Sequence, residues 1–309
     1  MRFIQHKREA YWFYSFLSNF YDKLVNPLFW TENMRDDALE IAGLEGPGLE
    51  VIDVGSGTGF TTEGIVKYVD PSLVTCVDQS PHQMSHAKKK PALRGATFHV
   101  GDAEDIPVES NSYDRYVSAG SIEYWPDPAR GVREAFRVIK PGGRATLIGP
   151  LEPTHPIGRF IANTWMLFPK DEEYRRWFAE AGFENIEAVY VRPQWFDREN
   201  EFVISIAGDK PLDVRSEPRS VSAATLPAAP PLGLEGSLML LGRLVVGSVA
   251  GFLFIPIAIV GFAQKALTGG VQPVKPHHRK EGLNMHQIGV LAGIGVLALV
   301  WIGRSAARR

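Results

Sequence analysis

Three closely spaced glycines follow an acid near the start of the chain. Residues 51–60 read VIDVGSGTGF, with Asp53 inside the apolar run and glycines at positions 55, 57 and 59. A buried strand that runs into a glycine turn lets the backbone come close to a nucleoside, because glycine has no Cβ. The third glycine comes one residue earlier than in a dinucleotide fingerprint, and an acid before the turn disfavours a diphosphate. Gly55, Gly57 and Gly59 therefore predict a cationic, phosphate-free ligand.

Acidic residues after the next two strands extend this predicted site. The second strand ends at Asp78, about 20 residues after the glycines, where a carboxylate accepts ribose hydroxyls. The third strand leads into an acidic loop in which Asp102 and Ala103 can meet an adenine edge. The predicted ligand contacts are completed by Ser56 and Gln79, which follow the first and second strands, and by Ser118 at the end of the fourth strand.

Strands and helices alternate along the chain, which predicts a doubly wound α/β fold with a seven-stranded, mostly parallel sheet. The predicted strands are 51–54, 73–78, 97–100, 113–118, 144–148, 186–191 and 202–207. The predicted helices are 31–39 with Thr31 as its cap, 81–90, 129–139, 157–168 and 172–181. The apolar helix 157–168 lies after the fifth strand, where it would cover a substrate.

With these motifs in register, residues 35–207 resemble the class I S-adenosyl-L-methionine-dependent methyltransferases. Five segments are similar to the plastid prenyl-benzoquinol methyltransferases: 2–7, 30–39, 78–83, 116–128 and 165–170. The resemblance implies C-methylation of 2-methyl-6-phytyl-1,4-benzoquinol and 2-methyl-6-solanesyl-1,4-benzoquinol, on the route to tocopherols and plastoquinone. It also implies a location at the chloroplast inner envelope membrane.

Candidate residues for the acceptor side follow the fourth strand, whose carboxyl end faces the ligand crevice of such a sheet. Glu123 is the first candidate for the base that accepts the phenol proton, with Tyr124 beside it and His6 or His155 as the next candidates. Aromatic side chains that could hold a flat ring and its prenyl tail are Tyr14, Tyr21, Trp30, Trp125 and Trp165.

The chain divides into four predicted regions. Residues 1–34 form an aromatic helical segment that covers the substrate, and residues 35–209 form the methyltransferase domain. Residues 210–236 are rich in Pro, Ala and Ser and read as a linker. Residues 237–309 form a membrane anchor, with one span predicted at 244–263 and a possible second span at 286–303, which could instead lie on the membrane surface.

Charge is distributed unevenly over the 309 residues, whose net charge is −2. Residues 1–210 carry a net −8, whereas residues 211–309 hold 10 Lys+Arg against 4 Asp+Glu, a net +6. A basic, apolar tail predicts a lipid partner, and the absence of interleaved basic and aromatic residues argues against nucleic acid. The histidines lack the spacing of a metal site, the single Cys76 excludes an internal disulfide, and no targeting peptide is visible at the start.

Three functions remain open on the sequence alone. The first is a membrane-anchored prenyl-benzoquinol methyltransferase. The second keeps the fold but methylates another acceptor, such as a sterol, a ubiquinone- or menaquinone-type precursor or a small metabolite. The third is a membrane scaffold without activity, against which Asp53, the glycine turn and Asp78 argue, because a scaffold has no need of ligand-binding acids. Fold alone does not separate the first two functions.

Overall fold

The computed structural model describes residues 29–219 and, beyond them, positions 242, 249, 253, 255, 256, 258–265, 267, 268 and 275. Several predictions fall elsewhere on the chain. His6, Tyr14, Tyr21, most of the aromatic segment 1–34, the linker from residue 220 to 236 and the second apolar run at 286–303 lie outside the described residues. The side chain of Trp165 lies outside them as well.

A seven-stranded sheet with the order β3-β2-β1-β4-β5-β7-β6 forms the centre of the domain. Neighbouring strands from β3 to β5 are parallel, and β7 runs antiparallel to both β5 and β6. This arrangement confirms the predicted doubly wound, mostly parallel sheet. The strands are β1 Val51–Val54, β2 Val74–Asp78, β3 Thr97–Val100, β4 Tyr113–Ala119, β5 Ile139–Pro150, β6 Glu184–Val191 and β7 Val203–Asp209.

Helices cover both faces of the sheet. The helices are α1 Glu32–Leu39, α2 Phe60–Ile65, α3 Pro81–Ala87, α4 Pro128–Val138, α5 Pro156–Trp165 and α6 Asp171–Ala181. Thr31 caps α1 as predicted, since its side chain accepts a hydrogen bond from the Met34 amide. Asp127 caps α4 in the same way, with Pro128 at the first helical position.

Several element boundaries differ from the predicted ones, among them those of β5 and α5. Strand β5 begins at Ile139, five residues before the predicted start, because the chain pairs with Tyr113 of β4 as soon as α4 ends. Helix α5 ends at Trp165, short of the predicted Phe168, because Met166 adopts an extended conformation. Residues 166–168 therefore lie outside the helix and pack against the turn that follows β4.

Lys210 is buried at the end of β7, although the sequence places it in a linker. Its Nζ lies within hydrogen-bonding distance of four oxygens: the carbonyl oxygens of Phe136 and Ile139 at 2.9 Å each, Asn111 Oδ1 at 2.9 Å and Ser216 Oγ at 2.7 Å. The ammonium also lies 4.7 Å from the centre of the Phe136 ring, and burial lowers its pKa to about 8. Residues 210–219 therefore belong with the domain, because these contacts hold them against α4.

An aromatic cluster on the loop after β6 packs against residues 258–262. Trp195 is buried, contacts Phe29 and Phe202 edge-on, and covers Ala258, which has no exposed surface. The ring centres of Trp195 and Phe262 lie 6.2 Å apart, and Lys265 forms an ion pair with Asp197. Within the predicted span 244–263, the described residues Ile255, Ala258, Ile259 and Phe262 are thus in contact with the domain. Among the residues that the structure describes, no helix is long and apolar enough to cross a membrane.

Replacing Lys210 with Met should lower the free energy of unfolding by about 2–4 kcal/mol, because the buried carbonyl and amide oxygens lose their charged donor. Urea denaturation followed by circular dichroism measures this change. Lys89→Met, at an exposed position, is the matched control and should leave the midpoint unchanged. Equal midpoints for the two variants would contradict the role given to Lys210.

Candidate active site

The glycine turn connects β1 to α2 and is held against the end of β2. The Gly55 amide donates to the Val77 carbonyl at 2.7 Å, and the Gly57 amide donates to Asp78 Oδ2 at 2.9 Å. Gly55 has φ +75°, and a Cβ there would lie 2.2 Å from Ser121 Oγ. The turn therefore requires glycine at this position both for its backbone conformation and for its close approach to the segment after β4.

Asp78 is the acid at the carboxyl end of β2. Its second oxygen, Oδ1, accepts the Ser80 amide at 2.8 Å. Burial raises its pKa to about 6, while the hydrogen bonds from Ser80 and Gly57 oppose this rise. Each oxygen accepts one backbone amide and keeps a lone pair for a further donor. Gln79 follows and is half-buried.

Asp53 lies in the middle of β1 and has no exposed surface. Its Oδ2 accepts a hydrogen bond from Thr62 Oγ1 at 2.6 Å, and its Oδ1 has no hydrogen-bond partner in the described structure. Burial raises its pKa to about 7, against the hydrogen bond from Thr62, and the charge of Asp78 adds to the rise. A cationic group brought to Oδ1 would satisfy it.

Other polar groups beside the turn are also buried without partners. Ser56 Oγ in the turn and Ser118 Oγ and Tyr116 OH on β4 make no hydrogen bond within the described part of the chain. Buried polar atoms are almost always paired in folded proteins, so such a group marks a site that a polar ligand or water completes. The unpaired atoms and the glycine turn together fit a ligand that carries an ammonium, a carboxylate and a ribose, as S-adenosyl-L-methionine does.

Asp102 and Ala103 lie in the loop after β3 and are half-buried. The loop is stabilised by the Glu104 amide, which donates to Asp102 Oδ1 at 2.9 Å, and by the Asp105 amide, which donates to the Asp102 carbonyl. Because β3 is parallel to β2, this loop lies at the same edge of the sheet as Asp78. The predicted adenine contacts are thus at the expected edge.

Cys76 is a buried thiol on β2, as the sequence predicts. Its Sγ lies 3.8 Å from Thr62 Oγ1, and burial, followed by the charge of Asp53, raises its pKa to about 12. The thiol is therefore protonated at neutral pH and has no nucleophilic character.

Glu123 lies in a short 3₁₀ turn, Ile122–Tyr124, which follows β4. Its side chain is buried, and its Oε2 has no hydrogen-bond partner among the described residues. Burial raises its pKa to about 7. Tyr174 of α6 is close enough that the charge of Glu123 contributes, after burial, to raising the pKa of Tyr174 well above its ordinary value. A carboxyl group whose pKa lies near neutral pH can both accept and release a proton at that pH.

The segment after α5 is attached to the same turn. The Tyr124 hydroxyl donates to Met166 Sδ at 3.2 Å, and the Leu167 amide donates to the Glu123 carbonyl at 3.3 Å. Tyr124, Ala162 and Met166 form a small apolar cluster with Phe168. The helix that the sequence predicts as a substrate cover is therefore fixed to the turn that carries Glu123. His155, the residue before α5, is exposed.

Two predicted substrate contacts pack into the interior. Trp125 is 4% exposed, belongs to the main core, and donates from Nε1 to Ser121 Oγ at 2.9 Å. Its ring lies against Gly131 of α4, where a Cβ would come within 2.4 Å of it. Trp30 is half-buried and packs against a buried apolar cluster that includes Met34 of α1 and Val51 of β1.

Sequence reasoning missed Ser121 and Tyr174. Ser121 faces both Gly55 and Trp125, and its place two residues after the end of β4 was a usable signal. Tyr174 donates to the Pro150 carbonyl at 3.0 Å, and nothing in its helical context distinguishes it from an ordinary core residue. No group of three His, Cys, Asp or Glu within the described residues could hold a metal ion.

Comparison with known proteins places these features in a family. Residues 52–147 match the family model described as "Methyltransferase domain". Among solved structures, phosphoethanolamine N-methyltransferase 2 of Haemonchus contortus in complex with S-adenosyl-L-methionine has a TM-score of 0.52 at 19% identity. The match covers 64% of this chain and 60% of that chain, and it supports the fold.

Two plant proteins are much more similar in sequence. The 2-methyl-6-phytyl-1,4-hydroquinone methyltransferase 1, chloroplastic, of Oryza sativa subsp. japonica is 46% identical over 283 residues, which are 88% of this chain and 83% of the relative. The 2-methyl-6-phytyl-1,4-hydroquinone methyltransferase, chloroplastic, of Arabidopsis thaliana is 48% identical over 88% of this chain and 81% of the relative. The chain therefore belongs to the 2-methyl-6-phytyl-1,4-hydroquinone methyltransferase family and is an S-adenosyl-L-methionine-dependent methyltransferase.

Proposed function

We propose that this enzyme methylates a ring carbon of 2-methyl-6-phytyl-1,4-hydroquinone and of its solanesyl counterpart, as a step towards tocopherols and plastoquinone. The observation that carries the proposal is the identity of 46–48% to relatives named for this acceptor, over more than four fifths of the chain. A buried carboxyl group with a pKa near 7, in a turn beside the cofactor site, supports it, because ring methylation releases a proton.

Residues at the carboxyl edge of the sheet bind the methyl donor. When bound, S-adenosyl-L-methionine supplies an electrophilic methyl group on a cationic sulfur. Asp78 accepts the ribose hydroxyls, Asp53 attracts the methionine ammonium, and Asp102 and Ala103 meet the adenine. Gly55, Gly57 and Gly59 allow close backbone approach, while Ser56, Gln79 and Ser118 provide further polar contacts. Support comes from the unpaired atoms Asp53 Oδ1, Ser56 Oγ and Ser118 Oγ.

The acceptor side is organised by the turn after β4. Glu123 accepts the phenol proton, which raises the electron density of the ring carbon. That carbon then takes the methyl group in exchange for its own proton, and the oxygen is protonated again, so that the aromatic ring is restored and one proton is released overall. Tyr124 fixes the segment after α5 over this turn through Met166. Holding the reactants in place contributes up to roughly 7–11 kcal/mol, and a general base contributes about 10²–10⁴-fold in rate. Positioning therefore dominates, and His6 and His155 are the alternative bases.

Aromatic residues complete the proposed acceptor site. Tyr14 and Tyr21 of the segment 1–34, together with Trp30 and Trp165, bury the ring and the start of the prenyl chain. Trp125 contributes to the acceptor site indirectly, because its indole Nε1 donates a hydrogen bond to Ser121 Oγ and so holds the segment after β4 in place.

The tail after residue 219 attaches the enzyme to a membrane, in this proposal the plastid inner envelope. The relatives are named chloroplastic, and the uncharged run at 244–263 together with the basic tail supports a lipid partner. Residues 220–236 connect this anchor to the domain. No metal or nucleic acid takes part.

A panel of acceptors distinguishes this function from methylation of another lipid. The full chain in liposomes is incubated with labelled methyl donor and the phytyl hydroquinone, the solanesyl hydroquinone, a demethylmenaquinol or a sterol. We expect methylation of the two 2-methyl-6-prenyl hydroquinones at least about 10-fold faster than of the others, a difference of 1.4 kcal/mol or more in the barrier. Faster methylation of the menaquinol or the sterol would refute the proposed acceptor.

Glu123→Gln tests the proposed base. The wild-type rate should rise with pH through about 7, because only the ionised carboxylate accepts a proton. The variant should lose this pH dependence and about 10² or more of its turnover, with acceptor affinity near normal. Glu180→Gln on the exposed face of α6 is the matched control and should keep the wild-type profile. An unaltered pH profile in Glu123→Gln would exclude it as the base.

Asp78→Ala tests the proposed ribose contact. Loss of a charge-assisted partner, of order 1.5–3 kcal/mol, should weaken binding of the methyl donor by roughly 10–100-fold in calorimetry. Asp70→Ala removes an exposed carboxylate that caps a turn before β2 and should bind the donor normally. Donor affinity unchanged in Asp78→Ala would rule out the ribose contact.

A further inference from the structure

The loop that follows β3 is attached to helix α4 at two points. The first is Glu104, which is 4% exposed and whose Oε1 accepts the Asp127 amide at the start of α4 at 2.6 Å. The second is Ile106, whose amide donates to Glu134 Oε2 at 2.8 Å. The Ile106 carbonyl oxygen accepts Arg137 Nη2 at 2.9 Å. Both backbone polar groups of Ile106 are therefore held by side chains from the second half of α4.

Glu134 and Arg137 form a bidentate ion pair on α4. Arg137 Nε donates to Glu134 Oε1 and Nη2 donates to Oε2, both at 2.8 Å, and the Arg137 and Glu134 side chains are 13% and 12% exposed. Arg137 Nη1 donates to the Val108 carbonyl at 2.9 Å and to Ser110 Oγ at 3.3 Å. Together with the Ile106 carbonyl, these acceptors engage all five N–H groups of the guanidinium. A lysine has its three donors on one atom and does not reproduce this fork.

These contacts restrict the short stretch that carries the predicted adenine contacts. Strand β3 ends at Val100, so that residues 101–105 alone separate it from the backbone held by Arg137. Within this stretch the Asp105 amide donates to the Asp102 carbonyl at 3.0 Å and closes a turn. Fixing both ends of so short a loop leaves few backbone conformations for Asp102 and Ala103.

Arg219, at the end of the described chain after β7, contacts the same loop. It forms an ion pair with Asp105 and lies 3.5 Å from Glu134 Oε2. Its side chain is 44% exposed, and ion pairs at such positions contribute little because water screens them. The less exposed pair of Glu134 and Arg137, with its hydrogen bonds to the backbone, is therefore the principal support of the loop.

We propose that Glu134 and Arg137 are positioning residues for recognition of the methyl donor: they hold the loop after β3 in the conformation in which Asp102 and Ala103 bind adenine. The inference rests on the proposed function, which assigns the adenine contact to Asp102 and Ala103. Adenine presents an amino donor beside a ring-nitrogen acceptor, so a carboxylate and the next backbone amide can pair with both. Hypoxanthine has a carbonyl oxygen and a protonated ring nitrogen at these places, which reverses both groups.

A role in stability alone would have a different consequence. Ligands with adenine and with hypoxanthine need the same folded domain, so a variant that only destabilises the fold weakens both in the same proportion. A variant that releases the loop loses the preference for adenine itself, because the carboxylate and the amide no longer stand in a fixed relation. The ratio of the two affinities therefore separates positioning from stability.

Calorimetry on the full chain measures this ratio with S-adenosyl-L-homocysteine and its counterpart that carries hypoxanthine. The wild type should bind the adenine ligand about 10-fold or more tightly, the effect of a hydrogen bond to a charged group. In Arg137→Gln the preference should fall to about 3-fold or less, since the loop loses its charged donor. Arg137→Lys, which keeps the charge without the fork, should be intermediate. Arg130→Gln, at an exposed position of α4, is the matched control and should keep the wild-type preference.

A second variant and a second measurement accompany Arg137→Gln, because loss of a buried guanidinium can also destabilise the domain. Glu134→Gln breaks the ion pair but keeps the arginine, and it should reduce the preference in the same direction. Amide hydrogen exchange of residues 101–108 should be faster in both variants without ligand, while residues 51–54 and 74–78 exchange as in the wild type.

An adenine preference that stays at the wild-type value in Arg137→Gln and Glu134→Gln would overturn the inference, whatever the loss of overall affinity. Equal affinity of the wild type for the two ligands would overturn it too, and would in addition refute the adenine contact of the proposed function. The two failures are therefore distinguishable, and neither readout depends on methyl transfer.

Discussion

Burial of carboxyl groups at the carboxyl edge of the sheet is the constraint on which the site depends. Asp53, Asp78 and Glu123 are each buried, and desolvation raises their pKa values from about 4 to about 7, 6 and 7. A raised carboxyl pKa means that the folded state favours the proton. Without ligand, these groups therefore destabilise the fold increasingly as pH rises from about 4 to about 7.

Hydrogen bonds from the surrounding structure offset part of the desolvation cost, to a different extent for each carboxyl group. Asp78 receives two backbone amides, from Gly57 and Ser80, and Asp53 receives the Thr62 hydroxyl. Glu123 Oε2 receives no hydrogen bond among the described residues. In the proposed function, the two acids on β1 and β2 hold the methyl donor, and the acid after β4 takes up a proton. The different hydrogen bonding of the three carboxyl groups supports this division of roles.

The sequence predicted the sheet well because its signals are local. Apolar strands that end in glycine or an acid, with caps such as Thr31 and Asp127, define the elements without tertiary information. The order of the strands follows from the resemblance that these motifs carry. Trp125 shows where this reasoning ends: its neighbours in sequence suggested a substrate contact, which stays a prediction, and they gave no sign that its indole packs in the core and donates to Ser121.

Long-range contacts explain what the sequence did not predict. In the sequence, Lys210 looks like the first residue of a polar linker. In the structure, its ammonium group is hydrogen-bonded to oxygens of residues 71–99 positions earlier in the chain and to Ser216. Trp195 packs against Ala258 and Phe262, which lie more than 60 residues later in the chain. No local sequence pattern predicts this contact. Both contacts join described residues after β7 to the domain, so the part of the chain that packs with the sheet is longer than the local pattern of the sequence indicates.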